Sequence, residues 1–85
     1  MVDILLVDDD FTFAKIVQTF LVKKGFQVNV QHTVKAGLKA LADNKYQLLL
    51  LDYRLPDGTG LDFLGASGNT DPAIPSIIMT SFNDV

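Results

Sequence analysis

Residues 2–7 are apolar at every position but Asp3, a run of leucine and β-branched residues that predicts a strand buried on both faces. From Thr12 the period changes. Phe13, Ile16, Val17, Phe20 and Leu21 fall at i, i+3, i+4, i+7 and i+8, the stripe of an amphipathic helix, and are expected in the core. Asp10 is placed to cap that helix, and Lys23, Lys24 and Gly25 supply the cations and the glycine of a helix end. Phe26, Val28 and Val30 then alternate with Gln27 and Asn29, which predicts a half-buried edge strand. Thr33 can cap a second helix with Val34, Leu38 and Leu41 on its inner face and Asn44 near its end. Residues 48–51, all leucine, read as a central buried strand. Residues 53–60 are punctuated by Pro56, Gly58 and Gly60 and predict a loop. A third helix is expected from about Leu61, kept short or irregular by Gly65 and Gly68. Pro72 and Pro75 bracket the entry to a fourth strand, residues 76–80.

Strand and helix alternate throughout, βαβαβαβ, and that order calls for a parallel sheet with helices on both faces. Right-handed crossovers then bring the C-terminal end of every strand to one rim. A length of 85 residues suits one small domain. At 48% hydrophobic and 20% charged, the chain is globular rather than disordered. The absence of cysteine excludes disulfides and thiolate metal sites. A net charge of -3, a pI near 4.7 and no basic run argue against nucleic-acid binding by this segment. The longest apolar run is far too short to cross a membrane, and the N-terminus lacks the basic start and apolar stretch of a secretory signal. A soluble cytoplasmic domain is the expectation.

Charge is concentrated where the strands end. In ILLVDDDF three carboxylates follow the first strand, and in LLLLDYRLPDGTG a single aspartate closes the third. Asp8, Asp9 and Asp52 thus stand on the rim where open α/β sheets bind ligands, and they converge if the first and third strands are neighbours. Carboxylates held so close cannot all stay ionised without compensation, either protons or a cation. Hard oxygen ligands suit Mg²⁺ or Mn²⁺, and few protein ligands favour magnesium over calcium. A carboxylate can also act as a nucleophile toward phosphorus, forming an acyl phosphate. Thr80 or Ser81, after the fourth strand, would offer a hydroxyl to a phosphoryl oxygen. Asp10 reads as a helix cap, Asp57 and Asp62 as turn and helix-start residues, and His32 as an exposed residue with no ligand partner nearby.

LLVDD, LLLLDYRLPDGTGLDFL and IPSIIMTS, in this order and at these strand ends, resemble the receiver domain of bacterial two-component response regulators. The resemblance covers essentially all 85 residues, and the RLPDGTGLDFL loop is most similar to receivers of transcriptional activators. It implies a flavodoxin-like, doubly wound parallel sheet and a signalling switch that catalyses only its own phosphorylation and dephosphorylation. Asp52 would be the phosphoacceptor, served by a sensor histidine kinase or a phosphotransfer protein. Asp9 and Asp52 would ligate Mg²⁺ directly, Asp8 largely through water, and the backbone carbonyl of Arg54 would add a ligand. Thr80 would be the switch hydroxyl.

The family continues through a fourth helix, a fifth strand that ends in a lysine and carries an aromatic switch residue, and a fifth helix. None of the seven cations here (Lys15, Lys23, Lys24, Lys35, Lys39, Lys45, Arg54) stands in that lysine's place, so residues 1–85 read as a partial receiver. The fourth strand would then be an exposed edge, and a homo-oligomer formed through it is expected. The alternative is a receiver-like module that is not phosphorylated and serves interaction or dimerisation. An aspartyl-phosphate phosphatase of the haloacid dehalogenase type, suggested by DGTG, fails on spacing. It needs D-x-D-G-T, and Asp52 is five residues ahead of Asp57.

Overall fold

The structure is a computed structural model and describes residues 2–67 and 74–79. Its elements are β1 (Asp3–Val7), α1 (Phe11–Lys23), β2 (Gln27–Gln31), α2 (Val34–Asp43), β3 (Leu48–Asp52), β4 (Arg54–Leu55), β5 (Gly58–Thr59), α3 (Gly60–Ala66) and β6 (Ser76–Met79). The main sheet is parallel, in the order β2-β1-β3-β6, with Val7 beside both Gln31 and Leu51 and with Asp52 beside Met79. This is the doubly wound order expected, with β6 in the place of the fourth strand. The chain winds outward from β1 in both directions, which opens a crevice at the ends of β1 and β3.

The local signals behave as their chemistry requires. The Asp10 carboxylate accepts from the Phe13 N–H at 3.0 Å, and Gly25 takes a left-handed φ of 96° just beyond α1. Thr33 caps α2 by accepting from Ala36 N–H. Thr59 and Asp62 cap α3 reciprocally, each side chain accepting from the other's backbone N–H, at 3.1 and 2.9 Å.

One side of the sheet is closed. Leu5, Val7, Leu49 and Leu51 are packed under Phe63 of α3, under Val34 and Ala40 of α2, and beside Leu55 and Tyr46. Gly37 lets α2 approach: a Cβ there would lie 2.7 Å from the Phe63 ring and 2.9 Å from a Val7 methyl. On the other side α1 packs against β2, and Ala14 is the residue of that helix that is fully buried.

Three expectations are corrected. The α1 stripe is not core as a whole: Phe13, Ile16 and Phe20 are exposed, and only Val17 and Leu21 are partly buried. The helix seats its 14–17–18–21 face on the sheet, because small Ala14 permits the closest approach, and this turns the larger side chains outward. His32 is not exposed but half-buried, with its ring stacked on Phe11. Residues 53–60 are not plain loop, since β4 and β5 pair as a short antiparallel ribbon around Pro56 and Asp57. Thr80 and Ser81 lie outside the described residues.

Candidate functional site

Parallel pairing in register carries β1 and β3 to the same level, so the residues just past Val7 and Leu51 meet. Asp8, Asp9 and Asp52 each present a carboxylate oxygen there, all within 4.8 Å of one another. Asp8 is the inner member at 3% exposure, Asp52 is half-buried and Asp9 is exposed. One Asp8 oxygen accepts from the Asp10 N–H at 2.9 Å, which anchors that carboxylate in the turn leading into α1.

Burial is the chief reason the Asp8 carboxyl is pushed above the ordinary carboxylate range. The Asp10 N–H and the Asp52 side chain oppose the shift, and the charges of Asp9 and Asp10 add to it. Asp52 is pushed up to about 6, first by burial and then by the Asp8 charge, against a stabilising bond from the Arg54 backbone N–H. Both shifts mark a site short of positive charge, and a hard dication would supply what the acids lack. Three carboxylates of graded burial around one point fit such an ion.

The acceptor's surroundings are built from backbone. The Tyr53 N–H donates to the Met79 carbonyl at 2.9 Å, and the Gly60 N–H donates to the Tyr53 carbonyl at 2.8 Å. Gly60 sits against Asp52 itself: a Cβ there would lie 2.9 Å from the Asp52 carbonyl oxygen. Only glycine permits α3 to begin on the acceptor's backbone. Asp57, expected as a turn residue, also reaches across to α2, where its carboxylate accepts from Val34 N–H at 2.7 Å and Lys35 N–H at 3.0 Å. Those two bonds, Lys35's first, hold its pKa below the ordinary value. Of the site residues read from sequence, Asp8, Asp9 and Asp52 are brought together, and Arg54 follows directly in β4. His32 and Gly60 were missed as neighbours of the site. A histidine after an edge strand carries no sequence signal of the carbonyl it will meet, whereas Gly60, eight residues past an acid, could have been flagged.

The class of molecule follows from this fold and this rim. A family model of the response regulator receiver domain matches residues 4–85. The chain belongs to that family, the signalling receiver domains of two-component systems. It is 35% identical over 82 residues to the uncharacterized transcriptional regulatory protein YkoG of Bacillus subtilis, covering 96% of this chain and 36% of that one. It is 32% identical to the transcriptional regulatory protein ZraR of Escherichia coli, covering 99% of this chain and 19% of that one. The chain therefore spans about a third or less of these relatives' length. Among solved structures, the MaeR response regulator bound to beryllium trifluoride superposes with a TM-score of 0.85 at 37% identity, over 99% of this chain and 70% of that one. A CheY-like receiver domain protein from Methanospirillum hungatei gives a TM-score of 0.89 at 28% identity, over 96% of this chain and 66% of that one. Among the described residues no helix is long and apolar enough to cross a membrane.

Proposed function

We propose that this chain takes a phosphoryl group onto Asp52 from a sensor histidine kinase or a phosphotransfer protein in the cytoplasm. The observation that carries the reading is the convergence of Asp8, Asp9 and Asp52 on one point of the rim, within 4.8 Å. Asp52 is the acceptor because it closes a buried strand and is neither the buried member of the cluster nor its fully exposed one. Its carboxylate oxygen attacks phosphorus, an O–P bond forms, the N–P bond to the donor imidazole breaks, and the electron pair leaves with that nitrogen. A carboxyl with a pKa of about 6 is mostly ionised at neutral pH and so remains a nucleophile.

Asp8, Asp9, Asp52 and the Arg54 carbonyl would hold Mg²⁺, with Asp8 acting largely through water. The ion, when bound, neutralises charge on the transferring oxygens. Thr80, one residue past β6, would offer its hydroxyl to the phosphoryl group. The likeness to MaeR, solved with beryllium trifluoride bound, supports an oxyanion-accepting site. Turnover would be confined to the domain's own phosphorylation and dephosphorylation.

The full natural chain, treated with a small phosphodonor and Mg²⁺, should gain the mass of one phosphoryl group. Asp52→Asn and chelation should each abolish the gain. Labelling that persists in Asp52→Asn would overturn the assignment.

We also propose that a second copy pairs along β6. Ser76–Met79 has no charged residue, Ile77 is 53% exposed, and among the described residues β6 ends the sheet. Sedimentation equilibrium of residues 1–85 at micromolar concentration should show dimer, and a stable folded monomer would defeat this proposal.

A further inference from the structure

His32 and Asp57 have no part in the phosphoryl chemistry, yet both are fastened to the loops that carry it. His32 directly follows β2, Thr33 caps α2, and Val34 and Lys35 open that helix. His32 Nδ1 lies 2.8 Å from the Asp8 carbonyl oxygen. A carbonyl only accepts, so Nδ1 carries the hydrogen and donates. The ring is steadied by Phe11, with centroids 3.7 Å apart and planes 10° from parallel. Two residues further on, the Val34 and Lys35 N–H groups donate to the Asp57 carboxylate in the loop behind Asp52. The segment 32–35 is therefore bonded through His32 to the loop bearing Asp8 and Asp9, and through Val34 and Lys35 to the β4–β5 turn at Asp57, five residues past Asp52.

The two loops need such a tie. The Asp8, Asp9 and Asp52 carboxylates lie within 4.8 Å of one another and repel when ionised. An ion or a phosphoryl group is held well only when its ligands stay within a fraction of an ångström of the productive geometry. We propose that residues 32–35 form a brace that sets the spacing between the Asp8/Asp9 loop and the β4–β5 segment that follows Asp52. His32 and Asp57 are its two fastenings, and they act as positioning residues. The proposal rests on the reading of the three acids as a Mg²⁺ and phosphoryl site.

The test titrates Mg²⁺ into the full natural chain and follows the Asp9 and Tyr53 amides by NMR. His32→Phe keeps the stack on Phe11 and loses the donor, while His32→Asn keeps an N–H near the place of Nδ1–H. Asp57→Ala removes both acceptor oxygens. His32→Phe and Asp57→Ala should each weaken Mg²⁺ binding about tenfold, the scale of outer hydrogen-bond partners in metal sites, with His32→Asn largely restored. Because one fastening is useless without the other, the double variant should lose about as much as either single one, not the product. Wild-type affinity in His32→Phe or Asp57→Ala, or a fully multiplicative loss in the double, would overturn the brace. A wild-type chain that binds no Mg²⁺ defeats the site reading alone, and the brace is then judged in the metal-free protein. There, Asp57→Ala should shift the Asp8 carbonyl ¹³C resonance on the opposite loop, and an unmoved resonance overturns it. Should Asp57→Ala fail to fold, Asp57→Asn, which keeps one acceptor, is read in its place with a smaller loss and a smaller shift; neither effect in that variant also overturns the brace.

Discussion

The two faces of the sheet are made from the same kinds of residue and finished differently. On the α2–α3 face Leu5, Val7, Leu49 and Leu51 are sealed beneath Phe63, Val34 and Ala40. On the α1 face only Ile4 and Leu6 are sealed, Leu48 and Leu50 are half-buried, and Ile77 is exposed. Phe13, Ile16 and Phe20 stand on α1 largely exposed. The difference teaches that helical spacing of apolar residues shows a helix has an apolar side, but not which part of that side the sheet will take. Small residues decide that. Gly37 and Ala14 mark the lines of closest approach, and the large side chains fill whatever space remains.

If the comparison holds, the largest loss belongs to the closed face. Phe63 is 0% exposed, and in residues 1–85 Phe63→Ala should cost about 3–5 kcal/mol in urea unfolding. Phe63→Leu serves where the alanine variant does not fold. A loss no greater than that of an α1 phenylalanine would erase the distinction between the faces. Next comes Gly37→Ala, whose methyl would press on Phe63 and Val7. Overpacking of about 1–3 kcal/mol is offset by a helix-propensity gain of about 1, leaving a net loss of up to about 2 kcal/mol. Gly65→Ala, with nothing within 4 Å of the new Cβ, should instead gain about 0.5–1 kcal/mol.

A rival source of instability is the rim, and pH separates it from the open face. The folded pKa of Asp52 is about 6, raised from an ordinary 3.8. A raised folded pKa means a stabilising contribution that is complete below about pH 4 and lost as pH rises through about 6. Metal-free protein should therefore be firmer near pH 4 to 5 than near pH 7.5, other titrations aside. Asp52→Asn should recover about 1 kcal/mol at the higher pH, after allowing for solvent screening of a half-exposed group. Mg²⁺ should give the wild type a similar benefit near pH 7.5 and less near pH 5, where protons compete. No change in stability on Asp52→Asn would place the weakness in the open face alone. The smallest effect belongs to Phe20, 59% exposed, with the Lys24 ammonium 5.4 Å above its ring. Phe20→Ala should alter stability by no more than about 0.5 kcal/mol. A larger loss would show that α1 is sealed in solution.

Much of this was legible in residue order. Alternating periods foretold the parallel sheet, and the caps at Asp10 and Thr33 and the glycine at Gly25 act where their side chains, or the lack of one, require. Asp8, Asp9 and Asp52 could be joined because each follows a buried run, and strands in register must deliver such residues to one place. The illegible parts depend on long-range partners. His32 meets a carbonyl 24 residues earlier in the chain, and Asp57 meets amides 23 and 22 residues earlier. The β4–β5 ribbon is two residues on each side, below the length at which alternation carries a signal.

Gln18, on the packed side of α1, also donates its amide to the Val28 carbonyl at 3.1 Å. Gln27 and Gln31 direct their backbone groups toward β1, so the groups of Val28 point away from the sheet. Gln18 thereby occupies an acceptor that an incoming strand would need. Growth by strand addition requires a receptive border at each end, as in any condensation polymer with two-functional monomers. The pair proposed along β6 would have β2 as its outer border among the described residues, with the Val28 carbonyl already engaged. In the proposed pair, an acceptor that a third copy would use at β2 is thus already taken, which disfavours growth beyond two.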